Sequence, residues 1–176
     1  LMSEIVTEVT VIDEHGEEKV LKNSKLEFDY DYSRFHHSGE VILSATFQLF
    51  KGDVELAKKV VVDWAVRKKL QPQNSLGCVF QNISPEDQAT HNLPTSSVGY
   101  IVDKILDKKG HQIGGAKISD QHAAFIINEK GSTAQDFLAL MKLIIEGTRE
   151  KLGIELKSEI VLKGFKQEEL EFLNKT

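Results

Sequence analysis

The most regular alternation of apolar and polar residues runs from Glu40 to Leu49 and predicts a β-strand with one buried face. Before it, the β-branched residues between Ile5 and Ile12, a turn at residues 13–16 and a return through residues 19–21 predict a β-hairpin. Residues 1–53 are therefore expected to be mainly β structure.

A helical pattern replaces the strand pattern after Lys51-Gly52. Asp53 is a suitable N-cap, and the helix is expected to end near Leu70, before Pro72. One stripe of the predicted helix is apolar: Val54, Ala57, Val60, Val61, Trp64 and Ala65. Because mixed α/β sequence begins here, we divide the chain into a first domain at residues 1–53 and a second at residues 54–176.

The second domain combines short strands with helices. Residues 98–106 predict a short helix, residues 123–128 a strand, residues 154–162 another strand and residues 166–176 a charged terminal helix. A capping box of Ser132 and Gln135 opens a long helix that ends at residues 151–153. Its expected core stripe is Phe137, Leu140, Met141, Ile144, Ile145 and Thr148. The fold class predicted for the whole chain is α+β.

Composition limits the possible partners and the compartment. Hydrophobic residues make up 40% of the 176-residue chain, which is enough for a core, and a single cysteine excludes an internal disulfide. The net charge of −5 arises from 27 acids and 22 bases without a large basic cluster, so nucleic acid is not expected as a partner. No apolar run approaches the roughly 18 residues of a membrane span, and the first residues do not resemble a signal peptide. We therefore expect a cytoplasmic protein, and its start at Leu1 suggests part of a longer chain.

The stretch from Asn74 to Asn82 carries the chemistry that stands out in the sequence. It contains the single cysteine, Cys78, together with Gly77, which permits close backbone approach, and amide side chains for hydrogen bonding. A lone cysteine is also compatible with a small buried apolar residue, so the residues alone leave both interpretations open.

Two other features contain residue types that occur in binding sites. The adjacent His36 and His37 point to opposite faces of an extended chain and have no evident third ligand nearby, so no metal site is predicted. The pair Gly114-Gly115 indicates either a bulge or a close approach between backbones. Its spacing does not match a dinucleotide or P-loop motif.

Residues 75–82, Ser-Leu-Gly-Cys-Val-Phe-Gln-Asn, resemble the active loop of the UDP-N-acetylenolpyruvoylglucosamine reductase (MurB) family, usually Ser-Ala-Gly-Ser-x-Phe-Lys-Asn-Pro. Four further segments resemble the family in the same order: residues 98–116, 119–128, 133–136 and 153–164. The resemblance extends from Leu1 to about Phe165.

The resemblance implies a domain organisation and a cofactor. Residues 1–53 are similar to the end of an FAD-binding domain, through the segment Tyr30–Phe35 and the strand to Leu49, and residues 54–176 to a smaller substrate-binding domain. The family's earlier half, with glycine-rich loops for the FAD diphosphate, has no counterpart here. The implied partner of the chain is therefore that missing half, and the complete protein is expected to be a monomer. The implied cofactor contacts are Tyr30, Ser33, Arg34 and Gly77.

In the family, NADPH reduces FAD, and the flavin transfers hydride to UDP-N-acetylglucosamine enolpyruvate while a protein group protonates the neighbouring carbon. The position of that proton donor is Cys78, where the family more often has Ser. A thiol is largely protonated at neutral pH and is a better acid than a hydroxyl. The resemblance also places Glu159 beside the substrate carboxylate. The implied substrate contacts are Asn82, Gln81, His122 and Lys69.

One departure from the family affects the expected activity. The arginine that binds the substrate carboxylate in the family is replaced by Asp31, whose charge would oppose binding of that carboxylate. Either Arg34 has taken over this role, or the protein is a catalytically weakened or silent relative that binds a UDP-sugar without reducing it. Gln81 and Ile83, in place of Lys and Pro, are milder departures.

Overall fold

A computed structural model describes residues 1–69 and 71–173 of the chain. It divides into two compact units, Leu1–Val60 and Val61–Thr176, each of which is described by itself. Both units combine sheets with helices, so the predicted α+β class is confirmed.

The first unit contains a three-stranded antiparallel sheet in the order β2-β1-β3. Its elements are α1 Met2–Ile5, β1 Val6–Ile12, β2 Glu18–Lys22 and β3 Val41–Phe47. The predicted hairpin is confirmed, and Asp13 closes its turn by accepting the backbone N–H groups of His15 and Glu17 at 2.9 Å. The small core consists of Val6, Val9, Val11 and Leu26, with Leu21, Phe28 and Phe35 packed against it.

Burial of one face of β3 was predicted, and this prediction is wrong for the described chain. Every residue of β3 is exposed, whereas Val6, Val9 and Val11 on the adjacent β1 are buried. Alternation specifies which side chains share a face, but burial also requires a covering layer. In the described part of the chain, that layer extends over β1 only.

Helix α2, Val54–Lys68, begins where it was predicted, because Asp53 accepts the N–H groups of Glu55 and Leu56 at 2.9 and 3.0 Å. The described helix ends at Lys68, and Leu70, near which its end was predicted, lies outside the described residues. None of the residues of α2 is buried, so its apolar stripe does not pack into a core formed by the described chain. The division between the two units falls within this helix.

The second unit contains a four-stranded antiparallel sheet in the order β4-β7-β6-β5. Its elements are β4 Ser75–Cys78, α3 Pro85–Thr90, α4 Val98–Tyr100, a π-helical turn Ile101–Ile105, β5 Gln112–Ile113, β6 Ala116–Ile118, β7 Phe125–Asn128, α5 Ala134–Leu152 and a 3₁₀ segment Gln167–Leu173. Its core includes Val79 and Phe80, strand residues such as Ile118 and Ile126, and the inner face of α5. The expectation that Met141 is a core residue is confirmed.

The two ends of α5 are fixed by local chemistry. The N-cap is Thr133, one residue after the predicted Ser132, and its partner in the capping box is Asp136 and not Gln135. Asp136 accepts the Thr133 N–H at 2.9 Å, while the Thr133 hydroxyl accepts the Asp136 N–H at 3.2 Å. At the other end, Gly153 adopts a left-handed conformation with φ 67°, as the predicted stop requires.

The segment after α5 differs from the prediction. Residues 154–162 do not form a continuous strand, since their ladder is reduced to a single bridge between Phe80 and Ser158. The predicted terminal helix is a 3₁₀ segment at Gln167–Leu173, and residues 174–176 lie outside the described chain. Among the described helices, none is both long and apolar enough to cross a membrane.

Candidate active site

Cys78 lies at the end of strand β4, which pairs with β7. The Cα partners are Ser75 with Ile127 and Cys78 with Phe125, and the register shifts between the two pairs. Gly77, at that shift, has φ +91°, a conformation that other residues rarely adopt. The glycine therefore permits the register shift that directly precedes Cys78 at the end of the strand.

Backbone hydrogen bonds hold the residues that come directly after Cys78 from two sides. On one side, the Val79 N–H donates to Ala124 O at 3.0 Å. On the other, the Gln81 N–H donates to Lys157 O and the Glu159 N–H donates to Val79 O, both at 2.9 Å. The segment after α5 is thus attached beside Cys78, although it does not form a regular strand.

This arrangement brings Glu159 within electrostatic reach of Cys78. Partial burial of the thiol raises its pKa above the ordinary value, and the negative charge of Glu159 raises this pKa further. At neutral pH the thiol is therefore protonated. A protonated, half-buried thiol beside a carboxylate is able to donate a proton to a bound substrate.

His122 lies next to the strand partner of Cys78. Its ring contacts the Phe125 ring edge-on, with 4.7 Å between the centroids, and its Nδ1 accepts the Ala124 N–H at 3.3 Å. Gln81 is half-buried and Asn82 is exposed immediately after it. Of the predicted second-unit residues, Gly77, Cys78, Gln81, Asn82, His122 and Glu159 are thus placed on adjoining segments.

Lys69 is not positioned at this cluster by any contact of the described chain. It follows α2, where its N–H donates to Ala65 O at 3.2 Å, and its side chain is exposed.

The other predicted candidates belong to the first unit. The Arg34 guanidinium binds both carboxylate oxygens of Glu40, at 3.1 and 3.2 Å, so this arginine already has a carboxylate partner. Asp31 has φ 45°, a left-handed conformation that aspartate tolerates better than arginine. Tyr30 is exposed, and the Ser33 N–H donates to His36 Nδ1 at 3.2 Å. Local backbone geometry thus accounts for an aspartate at position 31.

The Gly114-Gly115 pair forms the turn between β5 and β6, and the predicted close approach between backbones is confirmed. A Cβ on Gly115 would lie 2.5 Å from Lys130 O and 2.6 Å from the Ser132 nitrogen, while a Cβ on Gly114 would collide with the Asp136 carboxylate. A side chain at either glycine would therefore overlap protein atoms, and the Gly115 N–H already donates to Asp136 Oδ2 at 3.3 Å.

Two features were not predicted. The first is the pairing of Val79 and Gln81 with the backbone of residues 157–159, for which the sequence contains no signal. The second is a cleft of about 650 Å³ along β4 and β7, for which the polar Asn74-Ser75 pair was a partial signal. The residues that line it are Gln73, Asn74, Ser75, Leu76, Ile126, Asn128 and Phe137. Among residues that the structure describes, no group of three or more potential ligands is placed to hold a metal ion.

The second unit is thus a small α+β fold whose sheet holds a half-buried thiol beside a carboxylate. Residues 70–163 match the family described as UDP-N-acetylenolpyruvoylglucosamine reductase, C-terminal domain. The chain belongs to this family.

Curated relatives and a solved structure agree with this assignment. The UDP-N-acetylenolpyruvoylglucosamine reductases of Latilactobacillus sakei and Lactobacillus helveticus are 32% and 36% identical, over 95% and 93% of this chain. The crystal structure of the reductase (MurB) from Thermus caldophilus matches with a TM-score of 0.70 and 26% identity, over 92% of this chain and 55% of that chain. This chain spans 52% of each of the two curated relatives, about half their length.

Proposed function

We propose that this chain is the substrate-binding and proton-donating part of an FAD-dependent, NADPH-using reductase. The complete enzyme converts UDP-N-acetylglucosamine enolpyruvate into UDP-N-acetylmuramate during peptidoglycan precursor synthesis. The observation that carries the proposal is the placement of Cys78 beside Glu159 by pairing on both sides of residues 79–81. Membership of the family and the names of the relatives support the same activity.

The flavin, when bound, supplies the hydride in this reaction. The Asp136 carboxylate already accepts the Gly115 N–H in the glycine turn of this chain, so we propose that the preceding part of the protein binds the flavin diphosphate. The remaining cofactor contacts proposed for this chain are Tyr30, Ser33, Arg34 and Gly77. The domains at residues 1–53 and 54–176 then represent the end of the flavin-binding domain and the substrate domain.

Cys78 donates the proton that completes the reduction. The S–H bond breaks, a C–H bond forms on the substrate, and the thiolate remains beside the Glu159 carboxylate. Because burial and Glu159 both disfavour that thiolate, it regains a proton from solvent and restores the acid for the next turnover. Glu159 thus favours the form of Cys78 that is able to react.

Other side chains orient the substrate in this proposal. Asn82, Gln81 and His122 bind the UDP-sugar near Cys78, and Lys69 is proposed to approach its phosphates. Asp31, at the family's arginine position, is proposed to lie near the substrate carboxylate.

The test is Cys78→Ala in the complete enzyme. We expect substrate reduction to fall by about a hundredfold to ten-thousandfold, the usual contribution of a positioned acid, while flavin reduction by NADPH stays near the parent rate. Cys78→Ser should keep appreciable activity, since the family more often has serine at this position. Rapid-mixing absorbance measurements separate the two half-reactions.

Leu76→Ala is the matched control, because this exposed side chain lies on the same strand and should be dispensable for proton transfer. If Cys78→Ala reduced substrate at the parent rate, Cys78 would be a packing residue and not the proton donor.

A further inference from the structure

A buried hydroxyl organises the loop between strands β6 and β7. Ser119 is 2% exposed, and its Oγ accepts the backbone N–H groups of Gln121 at 3.1 Å and His122 at 3.3 Å. The Ser119 N–H donates to Phe125 O at 2.9 Å, and the Phe125 N–H donates to His122 O at 3.0 Å. The loop is therefore held from inside by one serine, because a buried hydroxyl that accepts two N–H groups leaves the backbone little freedom.

The same loop fixes the ring of His122. Its Nδ1 accepts the Ala124 N–H at 3.3 Å, and its ring lies edge-on against the Phe125 ring. A neutral imidazole carries its hydrogen on one nitrogen only, so a ring that accepts at Nδ1 carries the hydrogen on Nε2. His122 therefore has one N–H donor, at Nε2, and no group of the described residues accepts its hydrogen.

Backbone pairing attaches this loop to the strand of Cys78. Phe125, which ends the loop, is the Cα partner of Cys78 across β4 and β7. Ala124 O accepts the Val79 N–H at 3.0 Å. His122 itself is half-buried, so its ring is held by the fold and still accessible to a ligand. The donor nitrogen thus belongs to the segment that runs directly into the strand paired with Cys78.

We propose that His122 is a neutral hydrogen-bond donor to an oxygen of the bound substrate, through Nε2–H, and that Ser119 is the positioning residue that orients it. The inference rests on the proposed function, which gives His122 only as a contact of the UDP-sugar. It adds the nitrogen that binds, the direction of the hydrogen bond and the buried side chain that sets the ring. Carboxylate, hydroxyl and phosphate oxygens all accept such a bond.

Two amide variants of the complete enzyme determine which nitrogen binds. The amide nitrogen of glutamine reaches about as far from the backbone as Nε2 of histidine, whereas that of asparagine reaches only as far as Nδ1. We expect His122→Gln to keep kcat/KM within about fivefold of the parent, and His122→Asn and His122→Ala to lose about tenfold or more, because they lack the donor.

The role of Ser119 is tested by combining it with His122. Ser119→Ala should lower kcat/KM about fivefold or more in the parent enzyme and less than about twofold in the His122→Ala enzyme, since positioning matters only while the ring is present. A serine that merely supports the fold would cause equal losses in both. Gln121→Ala is the matched control, because its exposed side chain lies in the same loop and its N–H to Ser119 is kept.

Nitrogen NMR of the complete enzyme, labelled with ¹⁵N at histidine only, reports the ring directly. At about pH 8.5, above the range in which histidine side chains usually titrate, we expect the hydrogen of His122 on Nε2 and none on Nδ1. The spectrum of His122→Gln assigns the signal. Because the spectrum is recorded without substrate, it tests the orientation of His122 even if Cys78→Ala leaves the reaction unchanged and the proposed function fails.

Three results would overturn the proposal. The first is a hydrogen on Nδ1 of His122 in the spectrum. The second is an activity of His122→Asn equal to or above that of His122→Gln. The third is an equal loss from Ser119→Ala in the parent and His122→Ala enzymes. Circular dichroism checks that each variant is folded.

Discussion

Cys78 and Glu159 show how two ordinary side chains acquire a specific property from their position. The thiol is half-buried at the end of β4, and the carboxylate reaches it through a segment attached by backbone hydrogen bonds. Both effects raise the pKa of Cys78. The thiol should therefore be slow to react with alkylating agents near pH 8, because the thiolate is the nucleophile.

Glu159→Gln should lower the pKa of Cys78 toward its ordinary value, since the variant removes the nearby negative charge. The rate of iodoacetamide alkylation at pH 8 should then increase, and its pH profile should shift to lower pH. Mass spectrometry of the intact chain follows the modification. Glu146→Gln, which changes an exposed carboxylate on α5, is the control and should leave the profile unchanged. A profile that is identical for parent and Glu159→Gln would show that Glu159 does not influence the thiol.

At the scale of single residues, the sequence indicates candidate side chains but does not report the environment of each one. Cys78 was singled out as the single cysteine in a stretch with glycine and amides. Its proximity to Glu159 was implied by the family resemblance only, because no local pattern reports a contact between distant segments. The left-handed backbone of Asp31 was missed, since that conformation depends on the surrounding turn.

The helices and strands with the clearest periodicity were predicted best. Strand β1, helix α2 and helix α5 lie close to their expected positions. Residues 154–162 were wrongly predicted as a strand. The apolar residues of a short extended segment do not show how many backbone hydrogen bonds a neighbouring segment forms with it. The burial of β3 was wrong for a related reason, since burial depends on what lies above a face.

Gly115→Ala should destabilise the second unit by about 2 kcal/mol or more. The added methyl group would overlap the backbone of Lys130 and Ser132, which has little freedom to move. Gly52→Ala is the control, because a Cβ there meets no atom within 4 Å, and it should change stability by less than about 0.5 kcal/mol. Urea unfolding followed by circular dichroism measures both. Equal stability of the two variants would contradict the packing described for the β5–β6 turn.

Asp136 should make the second unit sensitive to acid. Hydrogen bonds from the Thr133 N–H, followed by the Gly115 N–H, lower the pKa of this carboxyl below its ordinary value. A lowered pKa in the folded state stabilises the fold above the unfolded-state pKa, near pH 4, and this stabilisation is lost as the pH falls through the folded-state pKa. Asp136→Asn should therefore be less stable than the parent at pH 7 and lose less stability between pH 4 and pH 2. Parallel losses in both proteins would exclude this role.

For the molecule as a whole, we predict that this chain alone binds FAD poorly. The Gly115 N–H in the glycine turn already donates to Asp136, and this chain spans only about half the length of its curated relatives, so we expect it to lack a complete flavin site. Purified chain mixed with FAD should therefore emerge from gel filtration colourless, with bound flavin well below one per chain. Absorbance near 450 nm provides the measurement. A stoichiometric yellow complex that survives gel filtration would show that the chain contains a complete flavin site.

The bridge between Phe80 and Ser158 has a consequence for the order of folding. It joins segments near the two ends of the second unit, with β5–β7 and α5 between them, so its formation closes a long loop of chain. Closing such a loop costs conformational entropy that is offset only once the intervening elements are in place. The hydrogen bonds that bring Glu159 to Cys78 should therefore form after the folding transition state. Glu159→Pro removes the N–H that donates to Val79 O, so it should accelerate unfolding and leave the folding rate almost unchanged.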